Sequence, residues 1–306
     1  MRGSQPLRVL ITGASSLPGY RAALALLSRG HQVVGTYLTH EVPIQHEAFT
    51  AVRLDVRDRI GLERLFKKHR PEAVIHMAAY GDVDGCERDR ALAWDVNVLG
   101  TINVVRAAER YADYLLYLST DYVFDGLRGM YEEHEPPCPI NYYGLTKMCG
   151  EVAVLTADIG RSIVRASSIY GLGPGRKNFA KFLVENLSAG KPVRALVDQY
   201  TTPTQASLLA EALVEILERR PTGIFHVVGE RMSRHEFALR IAEFLGLNKE
   251  LVKKAEMEEF SWLAPRPRDA SLRCERTRQV LKTDFYSTSE ALRALRTEYE
   301  EVRRRP

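Results

Sequence analysis

Hydrophobic residues in the first 120 positions fall into short runs, each closed by a small, hydroxyl-bearing or polar residue. The stretches between them carry helical spacing. Leu7 to Ile11 reads as a buried strand that stops at Thr12-Gly13, and Leu17 to Ser28 as a helix with Gly30 as its C-terminal stop. Further strands follow at His31 to Tyr37, Ala51 to Val56, Ala73 to Ala79 and Tyr114 to Thr120. Helical patterns cover Asp58 to His69 and Asp89 to Tyr111. Strands alternating with helices predict parallel strands joined by right-handed crossovers, an α/β doubly wound sheet of the Rossmann type. In such a sheet the ligand lies beyond the carboxyl ends of the strands, here Gly13, Tyr37, Asp55, Ala79 and Thr120.

The second half is less regular. Asn141 to Ala157 reads as a helix and Ile163 to Ser168 as a strand. "GLGPGRKNF" is a loop leading into a helix that ends near Gly190, and "KPVRALV" and "GIFHVVG" are short strands around a helix from Ser207 to Arg220. Ser233 and Glu236 form a Ser-x-x-Glu capping box before another helix. "RALRTEYEEVRRRP" is charged on most faces and reads as a solvated terminal helix. No repeat or low-complexity linker separates the halves. The expectation is a sheet domain over residues 1–168 and a smaller, interwoven α/β substrate-binding part over residues 169–306, with some segments returning to the sheet.

Composition narrows this picture. The chain of 306 residues is 45% hydrophobic and 27% charged, enough for a large soluble core. A net charge of +4 gives no reason to expect a nucleic-acid partner, and the Arg303-Arg304-Arg305 run reads as a frayed end. No apolar run reaches membrane-spanning length, and the start lacks a signal-peptide core. Met1 to Ser4 reads as a disordered start. Cys86, Cys138, Cys149 and Cys274 form no Cys-x-x-Cys, so the expectations are no metal and a reduced, cytoplasmic setting.

The first turn, "VLITGASSLPGY", has the layout of a phosphate-binding loop at a helix N-terminus, where free N–H groups and the helix dipole favour an anion. Gly13 permits a tight turn, Gly19 lets the helix approach the strand, and Pro18 suits a first helical turn. The middle glycine of the usual pattern is Ser16, whose hydroxyl is a possible phosphate ligand; alone, the loop equally suits any strand-turn-helix. The second strand ends in Tyr37, Leu38, Thr39 and His40 with no acid to read a ribose 2′-hydroxyl, which leans towards NADP over NAD, with Arg53 a further phosphate partner. In "NYYGLTKMCGE", Tyr143 and Lys147 lie four apart on one helix face. A cation beside a phenol lowers its pKa and suits proton exchange with a carbinol oxygen. Thr120 ends the fifth strand with a hydroxyl able to share that oxygen.

In this order, a cofactor loop, a strand-end hydroxyl and a Tyr-x-x-x-Lys helix resemble the extended short-chain dehydrogenase/reductases, and most of all the dTDP-4-dehydrorhamnose reductases. "HMAAYGDVDGCERD", "WDVNVLGT", "STDYVFDG", "VRASSIYG", "NFAKFL", "DQYTTPT" and "RPRDASL" carry the resemblance from about Leu7 to Phe285. It implies hydride transfer from NADPH, or NADH, to the C4 carbonyl of a nucleotide-linked deoxysugar. Tyr143 would protonate the developing alkoxide, Lys147 would lower its pKa and hold the nicotinamide ribose, and Thr120 would orient the carbonyl. Gly13, Ser15, Ser16, Leu17, Gly19, Tyr37, Asp55, Val56, Ala78, Ala79, Tyr80 and Asn97, with Tyr143 and Lys147 themselves, would serve the cofactor; Val83, Asp121, Tyr122, Ser168, Asn178 and Phe179 would serve the substrate. The resemblance also implies a homodimer paired through the long helices near Trp94 and Lys147.

Two positions depart from the family pattern. Ser168 stands where an aromatic platform, often tryptophan, packs on the sugar, and Ser207 stands in a region that is usually acidic, changing a helix cap. Asp121 and Tyr122 after Thr120 replace the Asp-Glu pair of a 4,6-dehydratase. Two alternatives stay open at this level: an NAD-dependent 4-epimerase, and a non-catalytic NADP-binding subunit resembling the regulatory subunit of methionine adenosyltransferase.

Overall fold

A computed structural model describes residues 5–304; Met1 to Ser4, Arg305 and Pro306 lie outside the described residues. The first half runs β1 (Arg8–Thr12), α1 (Leu17–Ser28), β2 (Gln32–Tyr37), β3 (Phe49–Arg53), α2 (Arg59–His69), β4 (Ala73–His76), α3 (Val83–Arg88), α4 (Arg90–Trp94), α5 (Gly100–Tyr111) and β5 (Tyr114–Thr120). The second half runs α6 (Tyr142–Leu155), β6 (Gly160–Ala166), α7 (Phe179–Ser188), β7 (Val193–Leu196), β8 (Tyr200–Thr201), α8 (Ala206–Arg219), β9 (Gly223–His226), β10 (Met232–Ser233), α9 (Arg234–Phe244), β11 (Val252–Ala255), α10 (Glu275–Val280) and α11 (Thr288–Arg304).

Seven strands form one parallel sheet in the order β3-β2-β1-β4-β5-β6-β9. The strand sequences are continuously apolar because both faces are covered. Val9, Ile11, Ala73 and Ile75 point into a core shared with α1 and α8, whereas Leu10, Val74 and Leu115 point into one shared with α2 and α5. The order reverses between β1 and β4, which opens a crevice at their carboxyl ends. Thr12 and His76 end those two strands and hold the crevice together. His76 Nδ1 meets Thr12 Oγ1 at 2.6 Å, and its Nε2 meets Thr101 Oγ1 at 2.9 Å. Burial holds this imidazole neutral, with its pKa pushed down to about 3.

A second core gathers α7, α9 and α11 around the two-stranded β7-β11 sheet. β9 comes from the chain's second half and completes the main sheet beside β6.

Three expectations need correction. The helical pattern from Asp89 to Tyr111 is not one helix: α4 and α5 are separated by a π-helical turn over Asp95–Leu99, and Asp89 caps α4 by accepting from Leu92 N. Asp82 and Asp84, which alternate with Val83 in a stretch that the sequence reads as a loop, belong to α3: Asp82 sits at its N-cap and Asp84 in its first turn. The terminal helix is not solvated on all sides. Ala291, Leu292, Leu295 and Glu298 are buried, while Arg293, Arg296, Thr297 and the last turn from Glu300 to Arg304 meet water.

Candidate active site

The loop between β1 and α1 turns at Gly13, with φ of 75°. A Cβ there would lie 2.8 Å from Ala78 N, so only glycine lets this turn pass beside the exit of β4. A Cβ on Gly19 would lie 2.4 Å from Gly13 O, which is why the helix can sit against the loop. Ser16 has φ of −72° and is the N-cap of α1; its Oγ accepts from Gly19 N at 3.1 Å and donates to Gly13 O at 2.8 Å. Serine thus does at the middle position what glycine does not: it builds the cap. Its proton is committed to Gly13, so the expected hydroxyl contact with a phosphate gives way to backbone N–H donors. Pro18 sits in the first turn of α1, which carries no acidic residue.

Above this loop lies a cavity of about 740 Å³, lined by Gly13, Ser15, Ser16, Tyr37, Asp55, Val56, Ala78 and Ala79 among others. Eight residues expected to serve a cofactor therefore share one wall. Thr36, Leu38, Thr39 and His40 extend it along the end of β2, with no carboxylate there. Asp55 is aimed by Arg57, whose guanidinium lies 2.6 Å from it and holds its carboxyl below the usual range. Arg53 lies outside that lining, its Nε donating to Leu38 O at 3.1 Å. The cradle, the helix N-terminus and the acid-free β2 end fit a dinucleotide with a phosphorylated ribose.

Leu17, Gly19, Tyr80 and Asn97 lie outside that lining. Asn97, in the π turn, accepts from Tyr80 N at 2.7 Å and donates to Tyr80 O and to Thr146 Oγ1. Its amide is consumed in tying the loop after β4 to α6, so it positions the site without facing it. A π turn at a functional site is a common device for presenting such a residue.

Thr120, Tyr143 and Lys147 meet at the carboxyl end of β5. Asn141 caps α6 by accepting from Gly144 N, which fixes the helix that carries the other two. The phenol of Tyr143 is held above its ordinary pKa, first by burial and then by the nearby Asp121, with a hydrogen bond to Thr120 pulling the other way. This reverses the expected lowering by Lys147. The ammonium of Lys147 is directed elsewhere: Nζ donates to Leu118 O at 2.8 Å and sits 4.0 Å from the centre of the Tyr117 ring. Burial brings Lys147 down to about 7, against an opposing pull from Glu151. Thr120 Oγ1 donates to Asp121 Oδ1 at 2.9 Å, so orienting a carbonyl requires that proton to turn from Asp121 to the substrate. Asp121 is itself buried and raised to about 6, while Ser167 Oγ donates to its other oxygen.

Lys147 has a measurable signature. Its folded pKa is below its unfolded one, so between about pH 7 and 10 the unfolded chain binds more protons and this residue makes stability rise with pH. Above about pH 9, Cys86 and Cys274, raised to about 12, pull in the opposite direction. Lys147→Met should flatten the rise between pH 7 and 9 in chemical-denaturation midpoints; an unchanged slope would assign it to other groups.

The substrate side is partly as expected. Tyr122 packs edge-on to Tyr143, with centroids 6.1 Å apart. Ser168 lies two residues beyond β6 with φ of 43°, and its Oγ accepts from Thr201 Oγ1 at 2.8 Å. Asn178 is an N-cap: it accepts from Lys181 N and donates to Gly171 O. Phe179 stacks on Phe237 beneath the Arg234 guanidinium. Val83 lies in α3 between Asp82, paired with Arg176, and Asp84, paired with Arg266. Ser207 is not the cap of α8; Gln205 is, and Ser207 donates to Glu298. Sequence reasoning missed Arg234, which donates to Gln199 Oε1 at 2.7 Å and to Ser168 Oγ and favours the charged form of Asp121. Its signal was hidden inside the Ser233-x-x-Glu236 stretch, read only as a capping box; the structure keeps the Ser233 half, its Oγ accepting from Glu236 N, while the Glu236 carboxylate accepts from Arg240. Arg165 and His226 are buried and held within the protein, the former paired with Glu151 at 2.8 Å and the latter meeting Arg273 O through Nδ1 at 2.8 Å.

A parallel doubly wound sheet with a Tyr-x-x-x-Lys helix beside a dinucleotide-type cavity defines an extended short-chain dehydrogenase/reductase, an NAD(P)-dependent oxidoreductase. Within that class the chain belongs to the family described as RmlD substrate binding domain, whose model matches residues 7–301. The chain is 32% identical over 267 residues to the probable low-salt glycan biosynthesis reductase Agl14 of Haloferax volcanii, covering 86% of this chain and 88% of that one. It is 32% identical over 261 residues to dTDP-4-dehydrorhamnose reductase of Mycobacterium tuberculosis, covering 82% and 84%. Among solved structures, a hypothetical dTDP-4-dehydrorhamnose reductase from Sulfolobus tokodaii matches at 40% identity and a TM-score of 0.81, covering 92% of this chain and 97% of that one. The Bacillus anthracis dTDP-4-dehydrorhamnose reductase in complex with NADP matches at 28% identity and a TM-score of 0.85, covering 97% and 100%. Among the described residues, no helix is long and apolar enough to cross a membrane.

Proposed function

We propose that the protein reduces the C4 carbonyl of a nucleotide-linked deoxysugar with NADPH, NADH being the weaker donor. The observation that carries this reading is the grouping of Thr120, Tyr143 and Lys147 at the carboxyl end of β5, the strand paired with β4, whose exit at Ala78 and Ala79 lines the cofactor-type cavity. A reduced nicotinamide bound there supplies the hydride. Tyr143 then gives its proton to the carbonyl oxygen as negative charge builds up on it. A raised phenol pKa serves this direction of reaction, because the acid stays protonated at neutral pH. Thr120, once its proton turns from Asp121, donates to the same oxygen, and Lys147, held on Leu118 O near the end of β5, adds positive charge to the site in its protonated form. The NADP preference is supported by the hydroxyl and imidazole groups at the end of β2, and by the NADP complex of the Bacillus anthracis relative.

For the substrate, the Arg234 guanidinium beside Ser168 and Tyr122 supports an anionic group such as a nucleotide diphosphate. A serine at 168 in place of an aromatic leaves sugar stacking weaker and supports a substrate broader than dTDP-4-dehydrorhamnose. Exposed Leu99, Val152 and Leu155 on the helices around Lys147 support pairing of two copies.

The test is an NADPH-oxidation assay over a panel of nucleotide-4-keto-6-deoxysugars, run in parallel with NADH. Consumption of NADPH with at least one member, faster than of NADH, is the expected result. Tightly held oxidised cofactor with interconversion of C4 epimers and no net turnover would install the epimerase instead. No turnover together with stable co-purification of a synthetase would install the regulatory subunit.

A further inference from the structure

The C-terminal helix α11 brings one carboxylate into the protein. Glu298 is 3% exposed, and its Oε2 accepts from Leu172 N at 2.6 Å. Its Oε1 accepts from Gln205 Nε2 and Ser207 Oγ, each at 2.8 Å, and lies 3.1 Å from Arg21 Nη2. The same Arg21 nitrogen donates to Leu172 O at 2.8 Å. The carbonyl and amide of Leu172 are therefore both gripped by one buried ion pair, and Arg21 belongs to α1, the helix whose N-terminus forms the phosphate loop. A Cβ on Gly171 would lie 2.8 Å from Glu298 Oε2, so the chain passes directly over this carboxylate.

Beyond Leu172 the chain crosses the cavity mouth. Gly175, with φ of 94°, rests on the first turn of α1: a Cβ there would lie 2.8 Å from Leu17 N. Arg176 reaches the far rim, donating to Gly81 O at 3.0 Å and lying 3.3 Å from Asp82 Oδ1. Gly175 and Arg176 both line the cavity. The segment hangs between two anchors, Leu172 at one end and the Asn178 cap of α7 at the other, where Asn178 Nδ2 donates to Gly171 O.

We infer that Glu298, with Arg21, is a positioning residue that fixes the 172–176 segment over the phosphate loop and so sets the affinity for NADPH; this rests on the cofactor reading above. A buried carboxylate with four donors converging on it is a rigid hub, and losing it frees Leu172 N and leaves Arg21 with an unpaired charge. The C-terminal helix thereby reaches the cofactor without contacting it.

The experiment compares Glu298→Ala, Glu298→Gln and Leu292→Ala, the last a buried apolar residue of the same helix. Hydrogen exchange of the cofactor-free protein reads the segment, and NADPH fluorescence titration reads affinity. Glu298→Ala should speed exchange in peptides covering 171–176 and raise the NADPH Kd about tenfold, with kcat changed less than twofold. Glu298→Gln should fall between it and the wild type. Leu292→Ala should lower the unfolding midpoint without either effect. An unaltered exchange rate in Glu298→Ala, or an equal rise in Kd in Leu292→Ala, overturns the proposal. Wild-type protein that takes no NADPH, with the segment still loosened in Glu298→Ala, overturns the cofactor reading and the affinity role but leaves the clamp standing.

Discussion

Tyr143→Phe should lower kcat/KM for ketone reduction by about a thousandfold, the size expected when a positioned general acid is removed. The substitution deletes one hydroxyl and keeps the ring, so the edge-on packing with Tyr122 survives. NADPH affinity should stay within about twofold, because the cavity is lined by the ends of β1, β2, β3 and β4 with Val96, Gly175 and Arg176, and not by this phenol. The separation matters. A variant that loses turnover and keeps the cofactor assigns Tyr143 to the chemical step; one that loses both assigns it to the fold. Retention of more than a tenth of the activity would move the proton source elsewhere, and Tyr122, which is also buried and raised, would be the first group to test.

The crevice was legible in the sequence because its signals are local. Gly13 and Gly19 announce backbone positions that no side chain tolerates, and Tyr143 and Lys147 share a helix face by spacing alone. The parallel, doubly wound character of the sheet followed from the alternation of strands and helices; its order, with β9 added beside β6, came from the structure. What was not legible depends on partners far apart in the chain. Burial reversed the expected effect on the Tyr143 phenol, and no spacing rule reports burial. Asn97 reads as a site residue in its motif, but its amide is spent on Tyr80 and Thr146. Glu298 looked like one charge among many on a solvated helix, whereas Leu172, Gln205, Ser207 and Arg21 close around it from three other segments. Periodicity identifies a helix; it does not show which of its charges are desolvated.

Glu151→Ala should destabilise the protein by about 3–5 kcal/mol, the range for stripping a buried charge of its partner. Arg165 is 1% exposed and bonds Glu151 through Nε at 2.9 Å and Nη2 at 2.8 Å. Without that carboxylate its remaining contacts are the Glu133 carbonyl, the Phe124 ring and His226. His226 offers no compensating charge, being held neutral by burial and by Arg165 itself, at about 3. Ser119, at the penultimate position of β5, loses the acceptor of its 2.5 Å bond as well. The double variant Glu151→Leu with Arg165→Met should recover most of the loss in urea unfolding, because two apolar side chains carry no desolvation penalty. If it recovers nothing, the pair is holding something other than its own charge. The kinetic consequence is separate, since Glu151 lies one helical turn from Lys147 and raises its pKa. In Glu151→Gln the Lys147 ammonium should deprotonate at lower pH, so the limb of the activity profile that it governs shifts towards acid while Tyr143 and Thr120 remain in place. A profile that does not move would separate the ion pair from catalysis and leave it a purely structural tie between α6 and β6.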